Sequence, residues 1–343
     1  MEKGAGERLR QVLASHIRTA HETFEALDDA ASTSSEKVSL EDVIKLGEHL
    51  SKQATLVGML WSGESPSSKS VEDAMGSFFN ALQGLLLVAH VSRAGAGPTL
   101  RSIIHSSAKH ILVSSTKLMT ETTSFYASGK KQPRDAVPKL VGEVWEACGG
   151  LKKIPTTNVA AIGRELAKVA TSVKDVHREM GELSSNQTGD GSSSDDEVDD
   201  SLSAEESKVA EAVRGVVAEA VVYVKELIRA ITAVGKGGGH CEEGEAVGFM
   251  EKVLKQCQGL SVQIDELGAS VYPPQETHLM AVVVHKLCHI DLQIAQLVAA
   301  MLHSDSFVAS SRHFRDSLNA LEKDLPCAPP DFLHCVNALS LSN

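Results

Sequence analysis

The chain has 343 residues, of which 13 are aromatic (Phe 8, Trp 2, Tyr 3), 42% are hydrophobic and 23% are charged, with a net charge of -12. The apolar share supports one or two packed domains, while the scarcity of aromatic and alternating β-branched runs argues against a large sandwich or barrel. The acidic balance argues against direct nucleic-acid binding and against an anionic membrane surface, both of which call for clustered Lys and Arg.

In chain order, the polar stretch Met1 to Arg10 leads into an amphipathic pattern rather than a signal-like apolar block. A first helix is expected from Glu7 to Ala31, able to complete either half of the molecule. Breaks follow at Gly63 to Pro66, Gly95 to Pro98, Gly129 to Pro133 and Gly149 to Pro155, where Gly caps helices and Pro starts or forbids them. Ser70-Val71-Glu72-Asp73 resembles a capping box with Asp in place of Glu. Leu100, Ile103, Ile104 and Ile111, with Ala108, form one apolar face. Ile162, Leu166, Val169, Val173, Val176 and Met180 step 4-3-4-3-4, the seam of a nearly parallel helix packing.

From Leu183 to Glu206 the chain changes character. Eight acidic residues, seven serines and no basic residue fall in this stretch of 24. It lacks the apolar surface to offset its ordering entropy and reads as a disordered acidic linker. After it, Val213, Val217, Ala220, Val224, Leu227, Ile231 and Val234 resume the helical stripe. Leu279, Val283, Leu287, Ile290, Ile294, Leu297 and Met301 make another, and Phe314, Leu318, Leu321 and Leu325 a fourth. Gly235 to Gly239, Tyr272-Pro273-Pro274 and Pro326 to Pro330 punctuate them.

The expectation is an all-α chain of two antiparallel helix bundles, at residues 1–182 and 207–343, joined by the linker at 183–206. Six helices precede the linker and about five follow it. No stretch reads as a membrane span of roughly 20 apolar residues. The six cysteines are scattered without a C-x-x-C pair, as befits reduced thiols.

No catalytic constellation emerges. Gly235-Lys236-Gly237-Gly238-Gly239 lacks the strand and the Ser/Thr of a phosphate loop and reads as a helix-to-helix connection. Ser114-Ser115-Thr116-Lys117 fits Ser-x-x-Lys without its companion motifs. His285 and His289 stand at i and i+4, a zinc-compatible spacing, but Lys286 occupies the position of the acidic base and Cys288 is off the line. They read as surface histidines. The expectation is a non-enzyme without metal or cofactor.

Val144-Trp145-Glu146-Ala147-Cys148, followed by Ile154-Pro155 and Asn158, resembles the Grap- and cyclin-D-interacting (cyclin-D1-binding) protein family. Two further blocks carry the resemblance: Val173 to Met180, and Asp265-Glu266-Leu267 with Tyr272-Pro273-Pro274 and His278-Leu279. The resemblance implies vinculin- or talin-like helix bundles and partners among D-type cyclins and helix-loop-helix transcription factors. It also implies a brake on cell-cycle entry or transcription, and residence in cytoplasm and nucleus. No basic stretch precedes a helix pair, so direct DNA contact is not expected. A structural adaptor for cytoskeletal or membrane-associated proteins is the second reading.

Within those blocks, Trp145 is either a core residue or a partner anchor. Asp175 and His177 are either a recognition pair or plain polar faces. Tyr272, Pro273 and Pro274 are either a helix stop or a docking site for a proline-reading domain. In the acidic segment Ser192, Ser193, Ser194 and Ser203 each have Asp or Glu three residues on, the pattern an acidophilic kinase reads.

Overall fold

The computed structural model describes residues 2–29, 38–62, 66–128, 136–186, 202–236, 244–301 and 304–325. Ten α-helices and one short 3-10 turn occupy them, with no strand among the described residues, so the all-α expectation holds. The helices are α1 (Glu2–Asp29), α2 (Leu40–Leu60), α3 (Ser68–Val91), α4 (Pro98–Ser128), α5 (Ala136–Gly150), α6 (Asn158–Asn186), α7 (Ala204–Lys236), α8 (Glu245–Ala269), α9 (Thr277–Met301) and α10 (Asp305–Asp324). The chain divides into two compact units after Ala161, within the first turn of α6. From Ile162 onward α6 therefore goes with the second unit. Residues 187–201, most of the expected linker, lie outside the described residues.

In the first unit α1 packs on α3 and α4, α3 on α2, and α5 on α2 and α4, which closes a ring of five helices. The first helix thus completes this unit. Phe78, Phe79, Met75, Leu82 and Leu85 of α3 are fully buried at its centre. Phe79 stacks on His16 of α1, and Trp61 meets Phe125 of α4 edge to face. Helix α3 is long and apolar enough to cross a bilayer, as is α9, contrary to the sequence expectation. In each, one apolar face lines the interior of its unit, while Leu87 of α3 and Leu279 and Leu292 of α9 are exposed.

Small residues let α2 and α5 approach closely. A Cβ on Gly47 would stand 2.5 Å from a methyl of Leu151, and one on Gly58 3.0 Å from a methyl of Val141. Helix α3 is capped by Ser67, whose Oγ accepts the Ser70 N–H at 3.1 Å. The expected box at Ser70 is therefore corrected: Pro66 fixes the entry one turn earlier, and Glu72 pairs with Arg8 of α1 at 3.0 Å. At the far end of α3, Gly95 takes the left-handed conformation (φ 77°) that a side chain resists. This turn is latched by Asn158, which is buried. Its Oδ1 accepts the Gly97 N–H at 2.7 Å and its Nδ2 donates to the Gly95 carbonyl at 3.2 Å.

In the second unit α7, α8, α9 and α10 pack in sequence, and α10 closes on α7. Ile290 of α9 lies against Gly259, and Lys286 pairs with Glu266 at 3.7 Å, so α8 and α9 run antiparallel. Gly268 of α8 admits α6, since a Cβ there would stand 2.5 Å from a methyl of Val176. Tyr223 of α7 is fully buried against Phe307 and Phe314 of α10.

The sequence stripe on α9 needs a correction. Its buried line is Met280, Val284, Leu287, Asp291, Ile294 and Val298, which steps 4-3-4-3-4, whereas Leu279 is 46% exposed. The register was hidden by Asp291, a charged residue at a core position and fully buried. Its carboxylate accepts the Ser311 hydroxyl at 2.8 Å and two N–H groups of Arg315 at 2.8 and 2.6 Å. That ion pair ties α9 to α10.

Both anchors can be tested. Asn158→Ala strands a buried N–H and a carbonyl and is expected to destabilise the first unit by about 1–3 kcal/mol. Urea denaturation followed by Trp fluorescence reads this directly, because both tryptophans, Trp61 and Trp145, lie in that unit. Arg315→Ala strands the buried Asp291 carboxylate and is expected to cost about 3–5 kcal/mol, while the double change Asp291→Leu with Arg315→Leu costs clearly less. Hydrogen exchange of the α9 and α10 amides distinguishes the two variants.

Candidate functional site

The residues singled out in sequence fall at several places. Trp145 sits on α5 and is 49% exposed, so it is not a core residue. Its indole N–H donates to the Ser51 carbonyl at 3.1 Å and reaches the Thr55 hydroxyl at 3.3 Å, both on α2. Cys148, one turn on, is buried, and burial raises its pKa. Leu56 and Met59, on the α2 face that carries Thr55, are also exposed. On α6, Asp175 is exposed and pairs with Arg178 at 3.5 Å, while His177 is half-buried. Ser192, Ser193 and Ser194 lie outside the described residues.

Tyr272, Pro273 and Pro274 form the turn that follows α8, and all three are exposed. Helix α8 stops at Ser270, whose hydroxyl donates to the Leu267 carbonyl, and the Pro273–Pro274 bond is cis. The turn is more than a stop. Together with the last turn of α8 and the first three turns of α9 it encloses a surface groove of about 450 Å³. Tyr272 and Pro274 form one wall, Leu279, Val282 and Val283 supply apolar floor, and Glu266 and Lys286 form a charged rim. Tyr272 is 48% exposed, close to the value for Leu279. Glu276 adds a second carboxylate to the rim, 4.0 Å from His278. The groove thus offers apolar contact flanked by charges of both signs, the surface that an amphipathic helix or an extended peptide fills.

The groove wall is braced from α7. The Gln275 amide donates to the Val271 carbonyl at 2.9 Å and to the Glu206 carbonyl at 3.0 Å, so the first turn of α7 is pinned beside the turn at 272–274. Ser203 caps that helix. Its Oγ accepts the Glu206 N–H at 3.2 Å, and the Glu206 carboxylate accepts the Ser203 N–H at 2.8 Å. This reciprocal pair is a capping box. The sequence Ser203-Ala204-Glu205-Glu206 carried its signature, though the acidic composition around it pointed to a linker. The hydrogen bond from the Ser203 N–H holds the Glu206 carboxyl below the ordinary range.

The histidines of α9 are engaged with their neighbours. His285 stands 3.3 Å from Glu322 of α10, and His289 meets Gln293 at 2.7 Å. Among the described residues no group of three or more His, Cys, Asp or Glu side chains converges. Cys257 is fully buried and its thiol is pushed up to about 12 by loss of water. Burial also moves the Tyr223 hydroxyl well above its usual range, with Asp291 beside it adding to the shift.

Fold and groove together define an all-helical protein with a peptide-sized surface cleft. The chain belongs to the Grap2 and cyclin-D-interacting family: the model of the family's N-terminal region matches residues 42–186, and that of its C-terminal region matches residues 181–299. Those matches include every block that carried the resemblance in sequence. The chain is also similar to a cyclin-D1-binding protein 1 homolog from Xenopus laevis, 25% identical over 235 residues that cover 65% of this chain and 68% of the relative. The family is described by its partners, not by a reaction.

The capping box predicts a pH response. Because the folded Glu206 carboxyl titrates below its unfolded value, its contribution is present above the ordinary Glu pKa of about 4.3 and is lost as pH falls through the folded value. NMR shifts of Glu206 and Ser207 are expected to show fraying of the first turn of α7 on acidification. Glu206→Gln, which has no carboxyl to titrate, is expected to remove that step.

Proposed function

We propose that the chain is a non-enzymatic interaction protein that captures a D-type cyclin and helix-loop-helix transcription factors and so restrains cell-cycle progression or transcription, in cytoplasm and nucleus. The observation that carries this reading is the match to the two family models across residues 42–299, together with the similarity to the Xenopus cyclin-D1-binding protein 1 homolog. The groove between α8 and α9 supplies a place for such a partner. It lies inside the matched region, and it presents Tyr272 and Leu279 half exposed with Glu266 and Lys286 at the rim. A partner helix that lays its apolar stripe there gains burial and rim contacts together. Trp145 is the second candidate anchor, though its indole N–H is already committed to α2.

The acidic segment adds regulation to this reading. Phosphate on Ser192, Ser193 or Ser194 deepens the negative charge ahead of α7, each event adding about -1.5 to -2 charges. Ser203 differs from the other three, because its hydroxyl is the α7 cap and the first turn must open before a kinase reads it.

Capture of a purified D-type cyclin by the full chain tests the proposal. The parent chain is expected to retain the cyclin. Leu279→Glu and Tyr272→Ala are each expected to weaken retention about tenfold or more, equivalent to about 1.4 kcal/mol. Failure of the parent chain to retain the cyclin overturns the cyclin reading, and retention untouched by both variants moves the site away from the groove.

A further inference from the structure

We propose that the groove between α8 and α9 selects a basic amphipathic helix. The partner segment lays an apolar stripe against Val262, Tyr272 and Leu279 and sets Lys or Arg on its flanks against Asp265 and Glu276. The inference rests on the groove as a docking site and adds the charge of its occupant; it does not depend on which protein carries that segment.

Three observations support it. The first is the length of the apolar surface. Val262 lies one turn before Glu266 on α8 and is 53% exposed, which extends the wall beyond the cleft itself. Tyr272 and Leu279 are open to a similar degree at the other end. From Val262 to Ala269 α8 rises about 10 Å, so the wall matches roughly two turns of a partner helix rather than a single side chain.

The second is the sign of the frame. Residues 203–208 and 262–286, which surround the cleft, hold five carboxylates (Glu205, Glu206, Asp265, Glu266 and Glu276) and two lysines (Lys208 and Lys286). Lys286 is already engaged with Glu266 at 3.7 Å. Negative charge is therefore left over for a partner to meet.

The third is Asp265. It stands next to Glu266 on α8, and no described Lys or Arg pairs with it. Loss of water on one side, and then the Glu179 carboxylate of α6 beside it, raise its pKa. A cation brought by a partner relieves that repulsion, and an acidic partner adds to it. Two helices with the same apolar stripe are thus told apart by their flanks. Exposed rim charges contribute little raw affinity, but they govern partner choice and the rate of encounter.

The test uses the full chain and two fluorescein-labelled helical peptides. Both carry one Leu stripe at i, i+3, i+4 and i+7, with Lys at the flanking positions of one and Glu at those of the other. Fluorescence anisotropy at low salt is expected to show the Lys peptide bound at least about tenfold more tightly, with the difference shrinking as salt screens the rim. Asp265→Lys with Glu276→Lys is expected to reverse the preference, whereas Lys286→Glu is expected to increase it. A fold defect does not produce these opposite changes. Tyr272→Ser with Leu279→Ser is expected to abolish binding of both peptides. Equal binding of the two peptides, or binding of neither, overturns the proposal, as does a preference that survives the charge reversal. Lys-peptide binding that survives Tyr272→Ser with Leu279→Ser assigns the attraction to acidic surface outside the groove and likewise overturns it. Cyclin capture is a separate measurement: a chain that retains the cyclin through the groove without any charge preference loses this proposal and keeps the earlier one.

Discussion

The second unit depends on a carboxylate that water does not reach. Asp291 is fully buried and satisfied by one hydroxyl and two guanidinium N–H groups from α10. A charge in such a place has only a few tolerable neighbours, because any slip leaves it unpaired at a cost of several kcal/mol. It therefore fixes the rotation of α9 about its own axis. With Asp291 inward, Met280, Val284 and Leu287 turn inward as well, and Leu279 and Val282 turn toward the cleft beside α8. The groove that carries the proposed function is, in this sense, set by an ion pair on the other side of the same helix.

A second constraint is the shortage of large side chains. With 13 aromatic residues in 343, interior space must be closed by bringing backbones together. Gly47 and Gly58 do this between α2 and α5, and Gly268 does it between α8 and α6. The aromatic residues that exist are concentrated where several helices meet, as with Tyr223, Phe307 and Phe314, or Phe78 and Phe79. Trp145 departs from this economy, since half of it is open to solvent.

The groove joins features that stand apart in sequence. Gln275 ties the capped start of α7 to the turn at 272–274, so the residue that ends the acidic run, Glu206, sits in the frame of the cleft. A partner approaching that cleft meets apolar surface first and acidic charge close by. Both are properties of one end of one unit.

Much of the fold was legible in sequence because helices announce themselves locally. The 4-3 spacing of Val213 to Ile231 and of Phe314 to Leu325 is repeated by their burial, and Gly and Pro mark the joints. The site was legible only in part. Tyr272-Pro273-Pro274 stood out as a block, but Leu279 looked like core because its spacing matched the wrong stripe, and Glu266, Gln275 and Lys286 carried no signal of their own. The cap at Ser203 was masked by the acidic composition around it. Sequence alone determined that this chain is helical, where Gly and Pro break its helices, and which family it resembles, since these depend on local propensity and short-range pattern. Only the tertiary structure decided which side of α9 faces inward, that α1 belongs with the first unit, and that a proline turn and a half-exposed leucine share one cleft. The facing of α9, and with it the cleft, depends on a buried charge finding its partner 24 residues away, and a hydrophobic pattern does not record where an ion pair closes.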